Sequence, residues 1–223
     1  MRDRLRQLVS AVNPRTLRDN ARRRKQLLRQ PVERTRFVVV DLETTGLNAY
    51  AGDSIVSVAM AEYSGLAATG RQFVSLVNPE RAIPQTATAI HGIRDADVVN
   101  APRFSDLVDQ IEAFLRGAVM VGHHIGFDLR FLNMGLRGVG HRPLVNPVVD
   151  TMVLFLEYTQ QLGHYTLDEV ARQLSIDAAG RHSAAGDVRM TGEIFRRLCP
   201  LLMKPHEPVA RLLRFRGADD LKL

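Results

Sequence analysis

The amino-acid sequence predicts an α/β protein in which a mixed β-sheet is flanked by α-helices. The first indication is residues 37–40, a β-branched run without polar alternation, which is typical of a strand covered on both faces. Residues 54–63 and 71–78 follow as two further strands, and the glycines between them favour a hairpin. Beyond residue 84, helical apolar patterns alternate with short apolar strands, an order that favours helices packed on a sheet.

Capping signals and apolar spacing predict the elements after the hairpin. Pro84 begins a short helix that ends near Gly92, and apolar residues three or four apart predict a helix over 104–115. Thr166 and Glu169 form a capping box, the side-chain pairing that closes the first turn of a helix. The remaining predicted elements are strands at 119–121 and 148–149 and helices at 127–136, 151–161, 166–174 and 184–198.

Length and composition support one domain with additional chain on either side. At about 100–200 residues per domain, 223 residues suffice for one well-packed domain, and no apolar run approaches the ~18 residues that span a bilayer. The single cysteine, Cys199, cannot form an intramolecular disulfide, which favours a reduced, cytoplasmic compartment. We therefore predict an arm at 1–35, a domain at 36–203 and a short tail at 204–223.

Positive charge is concentrated in the arm. Residues 1–36 contain twelve arginines and lysines against three acids, so the net charge of +6 comes from the arm and the rest is mildly acidic. Apolar residues at helical spacing over 5–12 and 16–30 predict two short amphipathic helices. Such an arm suits a nucleic-acid backbone, an anionic surface or a protein partner. An organellar transit peptide and plain solubilising charge are the alternatives.

Acidic residues follow the first buried strand and recur at two later element junctions. Asp41 and Glu43 are two positions apart, so on a strand their carboxylates project from the same face. At ~4 Å and an effective dielectric constant of about 20, their repulsion is on the order of 4 kcal/mol, which a divalent cation would remove. Asp128 stands at a predicted helix start, and Asp187 follows His182 by five residues. Taken singly, each has an ordinary structural alternative, such as stabilising a turn or a helix start.

Three segments around these acids carry a family resemblance. Residues 38–47 (VVVDLETTGL), 121–132 (VGHHIGFDLRFL) and 182–191 (HSAAGDVRMT) resemble the three motifs of the DnaQ-like, DEDDh-type 3′–5′ exonucleases. This family includes the epsilon proofreading subunit of bacterial DNA polymerase III. The resemblance extends over residues 36–202 and implies a ribonuclease H-like sheet. One departure is His124, where the family often has asparagine, and we expect altered loop hydrogen bonding there.

The resemblance also implies the site and its reaction. Asp41 would bridge two Mg²⁺ ions, for which Mn²⁺ substitutes, with Glu43 and Asp187 on the first ion and Asp128 on the second. His182 would act as the general base. The residues expected to line the pocket for the terminal nucleotide are Thr44, Thr45, Leu47, His91 and Phe127. Core packing is a nearly equal alternative for Leu47 and Phe127, as is a role at a helix terminus for His91.

The implied activity is removal of nucleoside 5′-monophosphates from the 3′ end of single-stranded DNA, in proofreading or repair. RNA or short oligonucleotides are an alternative substrate, because the motifs do not report the sugar. A catalytically silent nucleic-acid or polymerase-binding module is a further alternative, although such a module has usually lost a ligand. The arm is expected to bind DNA, a DNA polymerase or another protein. No membrane association is predicted.

Overall fold

The computed structural model describes residues 14–215. Its sheet has five strands: β1 (Arg36–Thr44), β2 (Ile55–Ser64), β3 (Ala67–Leu76), β4 (Val119–Gly122) and β5 (Val148–Asp150). The spatial order is β3-β2-β1-β4-β5, with β1 central. The strands β1, β2 and β3 are antiparallel neighbours, whereas β4 runs parallel to β1 and β5 parallel to β4. The predicted mixed sheet is confirmed.

Eight α-helices surround the sheet within the described range. They are α1 (Pro14–Leu28), α2 (Gln85–His91), α3 (Asp95–Val98), α4 (Phe104–Leu115), α5 (Gly126–Gly138), α6 (Thr151–Thr159), α7 (Leu167–Gln173) and α8 (Ala184–Leu202). The predicted capping box at Thr166 and Glu169 is present at the start of α7. The predicted helix over 16–30 is confirmed as α1, while the one over 5–12 lies outside the described residues.

Several element boundaries differ from the predicted ones, and β3 spans Ala67–Leu76 where a strand at 71–78 was predicted. Helix α6 ends at Thr159, two residues early, because Gln160 adopts a left-handed backbone with φ of 53°. Helix α8 runs four residues beyond the predicted end and passes through Pro200, closing with a hydrogen bond from the Met203 amide to the Cys199 carbonyl. The four-residue α3 was not predicted, since it is too short to show apolar periodicity.

Strand β1 is buried on both faces, as its unbroken apolar run predicts. Phe37 and Val39 belong to the cluster that includes α8, and the rings of Phe37 and Phe195 lie 4.9 Å apart. Val38 and Val40 point to the other face, into the cluster formed with α4 and α5. Because alternate residues of one strand serve two apolar layers, β1 is held rigidly between them.

Residues on both sides of the predicted domain boundaries pack on the domain. Val32 is 2% exposed, and its amide donates to the Glu207 carbonyl at 3.0 Å. In return, the Val209 amide donates to the Gln30 carbonyl at 2.9 Å, and Leu212 is buried. The boundaries themselves stay predictions, and residues 216–223 lie outside the described range. Among the helices of residues 14–215, none combines the length and apolar character required to span a membrane.

Candidate active site

Asp41, Glu43 and Asp187 are brought together by the packing of β1 against α8. The two β1 carboxylates project from the face that also carries Phe37 and Val39, which is the face covered by α8. Asp187 lies in the first turn of α8 and is 4% exposed. One carboxylate oxygen from each of the three lies within 4.8 Å of the others. The convergence therefore follows from strand alternation combined with one helix–sheet contact.

Asp128 lies beside this group of three. It stands in the first turn of α5, immediately after the β4–α5 loop, and is 4% exposed. Its carboxylate accepts a hydrogen bond from the backbone amide of Leu42, the residue between Asp41 and Glu43. The parallel arrangement of β1 and β4 thus places all four predicted acids at one edge of the sheet.

The environment raises the pKa of all four carboxyl groups, and burial is the largest cause for each. Repulsion from Asp128, Asp187 and Glu43 raises the pKa of Asp41 further. Burial followed by repulsion from Asp187 raises the pKa of Glu43 to about 7. A buried cluster of this kind takes up either protons or a cation.

The donor set fits a divalent metal ion. Asp187 Oδ1 is buried and has no hydrogen-bond partner among the described residues, while Oδ2 accepts from Arg181. Leaving a buried carboxylate oxygen unpaired costs free energy, and a coordinated cation would remove that cost. Carboxylate oxygens are the ligands that Mg²⁺ and Mn²⁺ prefer.

His182, the predicted base, lies at the rim of the acidic cluster with an exposed side chain and a left-handed backbone (φ 63°). Its loop is held by Arg181, whose guanidinium contacts Asp187 Oδ2 at 2.5 Å and Asp168 Oδ1 at 2.7 Å. Gly186 permits the close approach of this loop to α8, because a Cβ there would lie 1.8 Å from a backbone oxygen. Arg181 was not among the predicted site residues, since no spacing pattern marks a loop arginine with such partners.

Asp150 organises the loop that leads to Asp128. It caps α6 by accepting from the Met152 amide at 2.9 Å, and it also accepts from the amides of His124 at 3.0 Å and Ile125 at 3.2 Å. His124 has a left-handed backbone with φ of 54°, a conformation that asparagine adopts more readily than most residues. This explains why asparagine suits that position in the family.

His123 belongs to the structure of the same loop. Its Nε2 donates to the Tyr165 carbonyl at 2.9 Å. Its Nδ1 is hydrogen-bonded to Thr151 Oγ1 at 3.0 Å. Burial is the main cause that lowers its pKa to about 4.

The residues predicted to line the nucleotide pocket differ in their surroundings. Thr44 and Thr45 are buried, and their hydroxyls hold the turn after β1 by donating to the Gly46 carbonyl at 2.6 Å and to Asp53 Oδ1 at 3.3 Å. Leu47, at the exposed tip of the turn, is 82% exposed.

The other two pocket predictions fall on helices. His91 ends α2, and its Nδ1 accepts from the Ile93 amide at 3.1 Å, whereas Nε2 is buried with no hydrogen-bond partner in the described chain. Burial lowers the pKa of His91. Phe127 is half-buried and its ring lies 4.8 Å from that of Phe131, so it contributes to core packing.

Comparison with known proteins identifies the class. The family model RNase_T, described as an exonuclease, matches residues 38–195, and the chain belongs to that family. The DNA polymerase III subunit epsilon of Treponema pallidum is 34% identical over 165 residues, which cover 73% of this chain and 76% of that protein. The epsilon-like protein of Rhodobacter capsulatus is 38% identical over 179 residues, 79% of this chain but 25% of that protein. This chain therefore spans about a quarter of the length of the latter relative.

The fold also matches a solved structure. E. coli exonuclease I in complex with a dT13 oligonucleotide superposes with a TM-score of 0.67 at 16% identity, covering 74% of this chain and 41% of that chain. At this identity the likeness shows a shared fold. Family and fold together define a 3′–5′ exonuclease domain of the DnaQ-like superfamily, as the three motifs predict.

Proposed function

We propose that this protein is a metal-dependent enzyme that removes nucleoside 5′-monophosphates from the 3′ end of single-stranded DNA, in proofreading or repair. The observation that carries the proposal is the meeting of Asp41, Glu43 and Asp187 within 4.8 Å of one another. Asp128 is buried beside them, so all four expected acids are retained. This retention favours an active enzyme over a silent binding module.

Mg²⁺ is the proposed cofactor, with two ions and Mn²⁺ as a substitute. Asp41, Glu43 and Asp187 would hold the first ion, and Asp41 and Asp128 the second. When bound, the ions supply positive charge to the phosphate and acidify a water molecule. The chain supplies rigidity, because β1 is buried on both faces and Arg181 fixes one oxygen of Asp187.

His182 is the proposed general base for the attacking water. A neutral imidazole can accept that proton. Its exposed position at the rim gives it access to solvent, and the Arg181 contacts hold its loop beside Asp187.

The terminal nucleotide is proposed to lie against the turn after β1 and the end of α2. Leu47 offers an exposed apolar side chain and His91 an unpaired buried nitrogen. Thr44 and Thr45 are proposed to shape the pocket through the turn that their hydroxyls hold. Phe127 is proposed to support it from α5.

The basic arm is proposed to hold DNA, a DNA polymerase or another protein partner, and the compartment to be the cytoplasm. A related protein is a polymerase subunit by name, which supports a polymerase partner. DNA is proposed over RNA because the exonuclease I neighbour was crystallised with a DNA oligonucleotide.

The decisive experiment uses a 5′-labelled single strand, DNA in one arm and RNA in the other, with Mg²⁺ or with a chelator. We expect a ladder shortening from the 3′ end that requires metal, forms faster on DNA and disappears in Asp41→Asn. The matched control is Asp109→Asn, since Asp109 is an exposed acid on α4 away from the cluster. An unchanged ladder in Asp41→Asn would refute the proposal, and faster cleavage of RNA would establish the exoribonuclease alternative.

A further inference from the structure

A cavity of about 530 Å³ lies between α1 and the loops that precede β4 and β5. Its volume falls within the range of ligand sites, roughly 300–1,000 Å³. Ala118 and Pro147, in its lining, come just before the starts of the two parallel strands, whereas Asp41 and Glu43 lie toward the end of β1. The cavity therefore opens at the opposite edge of the sheet from the carboxylates.

Arginine dominates the charged part of this cavity. The lining includes Arg23, Arg24, Arg116 and Arg142. Among the side chains of residues 21–215, no carboxylate lies within 4.0 Å of the guanidinium groups of Arg23, Arg24 or Arg116. The acid in the lining, Glu112, lies 3.3 Å from His141 Nδ1. Arg23, Arg24 and Arg116 thus present positive charge to the cavity that the side chains of residues 21–215 do not neutralise.

The apolar part of the lining is aliphatic. Leu27 from α1 lines the cavity together with Leu144 and Val145, and Val145 is 61% exposed. No aromatic ring is among the described residues that line it. Nucleic-acid sites that hold single strands use aromatic rings on which bases stack, so this lining does not favour a base. Guanidinium groups instead pair with carboxylates in a two-pronged geometry, and an aliphatic pocket accepts an aliphatic side chain.

We propose that this cavity is a docking site for an acidic segment of a protein partner, in which aspartate or glutamate residues flank leucines. The arginines complement the acidic residues of such a segment, and the aliphatic part of the lining accommodates its leucines. The inference deepens the proposed role of the arm in holding a protein partner, and it leaves the carboxylate edge open to nucleic acid. Binding of such a segment does not require that the chain cut nucleic acid. The docking site and the exonuclease activity can therefore be refuted independently of each other.

The test is fluorescence anisotropy with the full chain in chelator, using two fluorescein-labelled probes. One is a peptide of sequence Asp-Asp-Leu-Leu-Asp-Asp and the other is a dT12 oligonucleotide. We expect saturable peptide binding that weakens at least tenfold in the double variant Arg23→Glu with Arg24→Glu. Arg172→Glu is the matched control, because Arg172 is an exposed helical arginine on α7 outside the cavity lining. Thermal melting verifies that each variant is folded.

A second arm of the experiment changes the probe and leaves the protein intact. Replacing both leucines of the peptide by serine is expected to lower its affinity at least tenfold, because the aliphatic part of the cavity then has no occupant. Absence of saturable peptide binding up to about 1 mM would overturn the proposal. It would equally be overturned if the arginine substitutions weakened dT12 binding and left peptide binding unchanged, which would mark a nucleic-acid site.

Discussion

Glu43 makes cation binding by the acidic cluster depend on pH. Its pKa is raised to about 7 by burial and by repulsion from Asp187, with Arg181 acting in the opposite direction. Below that pH a metal ion must displace the proton. We predict that Mn²⁺ affinity, measured calorimetrically, weakens about fivefold from pH 7 to pH 6 as Glu43 takes up its proton. Affinity that stays constant from pH 6 to pH 8 would contradict the assigned cluster, and Glu43→Gln should reduce the slope.

His182 and the carboxylates should separate in their effects on chemistry and on metal binding. His182→Gln removes a proton acceptor and leaves all four acids in place, so we predict a fall in kcat of about 10²–10⁴ with an unchanged Kd for Mn²⁺. Asp187→Asn should lower kcat and also weaken the binding of Mn²⁺. His206→Gln is the control, because His206 is an exposed histidine in the loop after α8. Equal kcat values for His182→Gln and His206→Gln would remove His182 from the mechanism.

At the scale of elements, Asp150 couples α6 to the loop that carries Asp128. Asp150→Ala removes three hydrogen bonds to backbone amides, and at about 1 kcal/mol each we predict a loss of roughly 2–3 kcal/mol in the free energy of unfolding. Asp150→Asn keeps Oδ1, which accepts two of the three, so its loss should be smaller. Urea denaturation measures both. A stability of Asp150→Ala equal to that of the parent would show that these bonds do not hold the loop.

Elements governed by local rules were predictable from the sequence, and those governed by distant contacts were not. The unbroken run of β1 and the capping box of α7 each express a local preference, and the structure confirms both. The three motifs identified the four acids. Strand alternation placed Asp41 and Glu43 on one face of β1, but it could not show that Asp187 would lie opposite that face. The bridge from Arg181 to Asp168, and the pairing of Val32 with Glu207, depend on packing between segments far apart in sequence.

At the scale of the whole molecule, the packing of Val32 determines which deletion can remove charge from the arm without disturbing the fold. Deleting residues 1–33 would remove a buried core residue and its hydrogen bond to Glu207, so it would alter the fold as well as the charge. Deleting residues 1–20 retains Leu27, Leu28 and Val32. We predict that this shorter deletion preserves the melting temperature and the turnover of short substrates. Affinity for long DNA should fall and become less dependent on salt. An unchanged salt dependence would show that residues 1–20 of the arm do not bind the phosphate backbone of DNA.

Proton uptake by the acidic cluster links the stability of the whole fold to pH and metal. The raised pKa of Glu43 means that the folded state binds more protons than the unfolded state from about pH 4 to about pH 7, and the raised pKa values of the other three carboxyl groups act in the same direction. The metal-free stability contribution of these groups therefore falls as pH rises through that window.

Mn²⁺ should reverse this loss, because it binds only the folded, deprotonated cluster. At a concentration 100 times the Kd it adds about 2.7 kcal/mol, or roughly 5–10 °C in Tm for a chain of this size. We predict that shift at pH 8 and a much smaller one at pH 5.5, by differential scanning calorimetry. Asp41→Asn with Asp187→Asn should melt higher than the parent without metal at pH 8 and should not respond to Mn²⁺. Equal Mn²⁺ shifts at both pH values, or in both proteins, would show that the ion binds elsewhere.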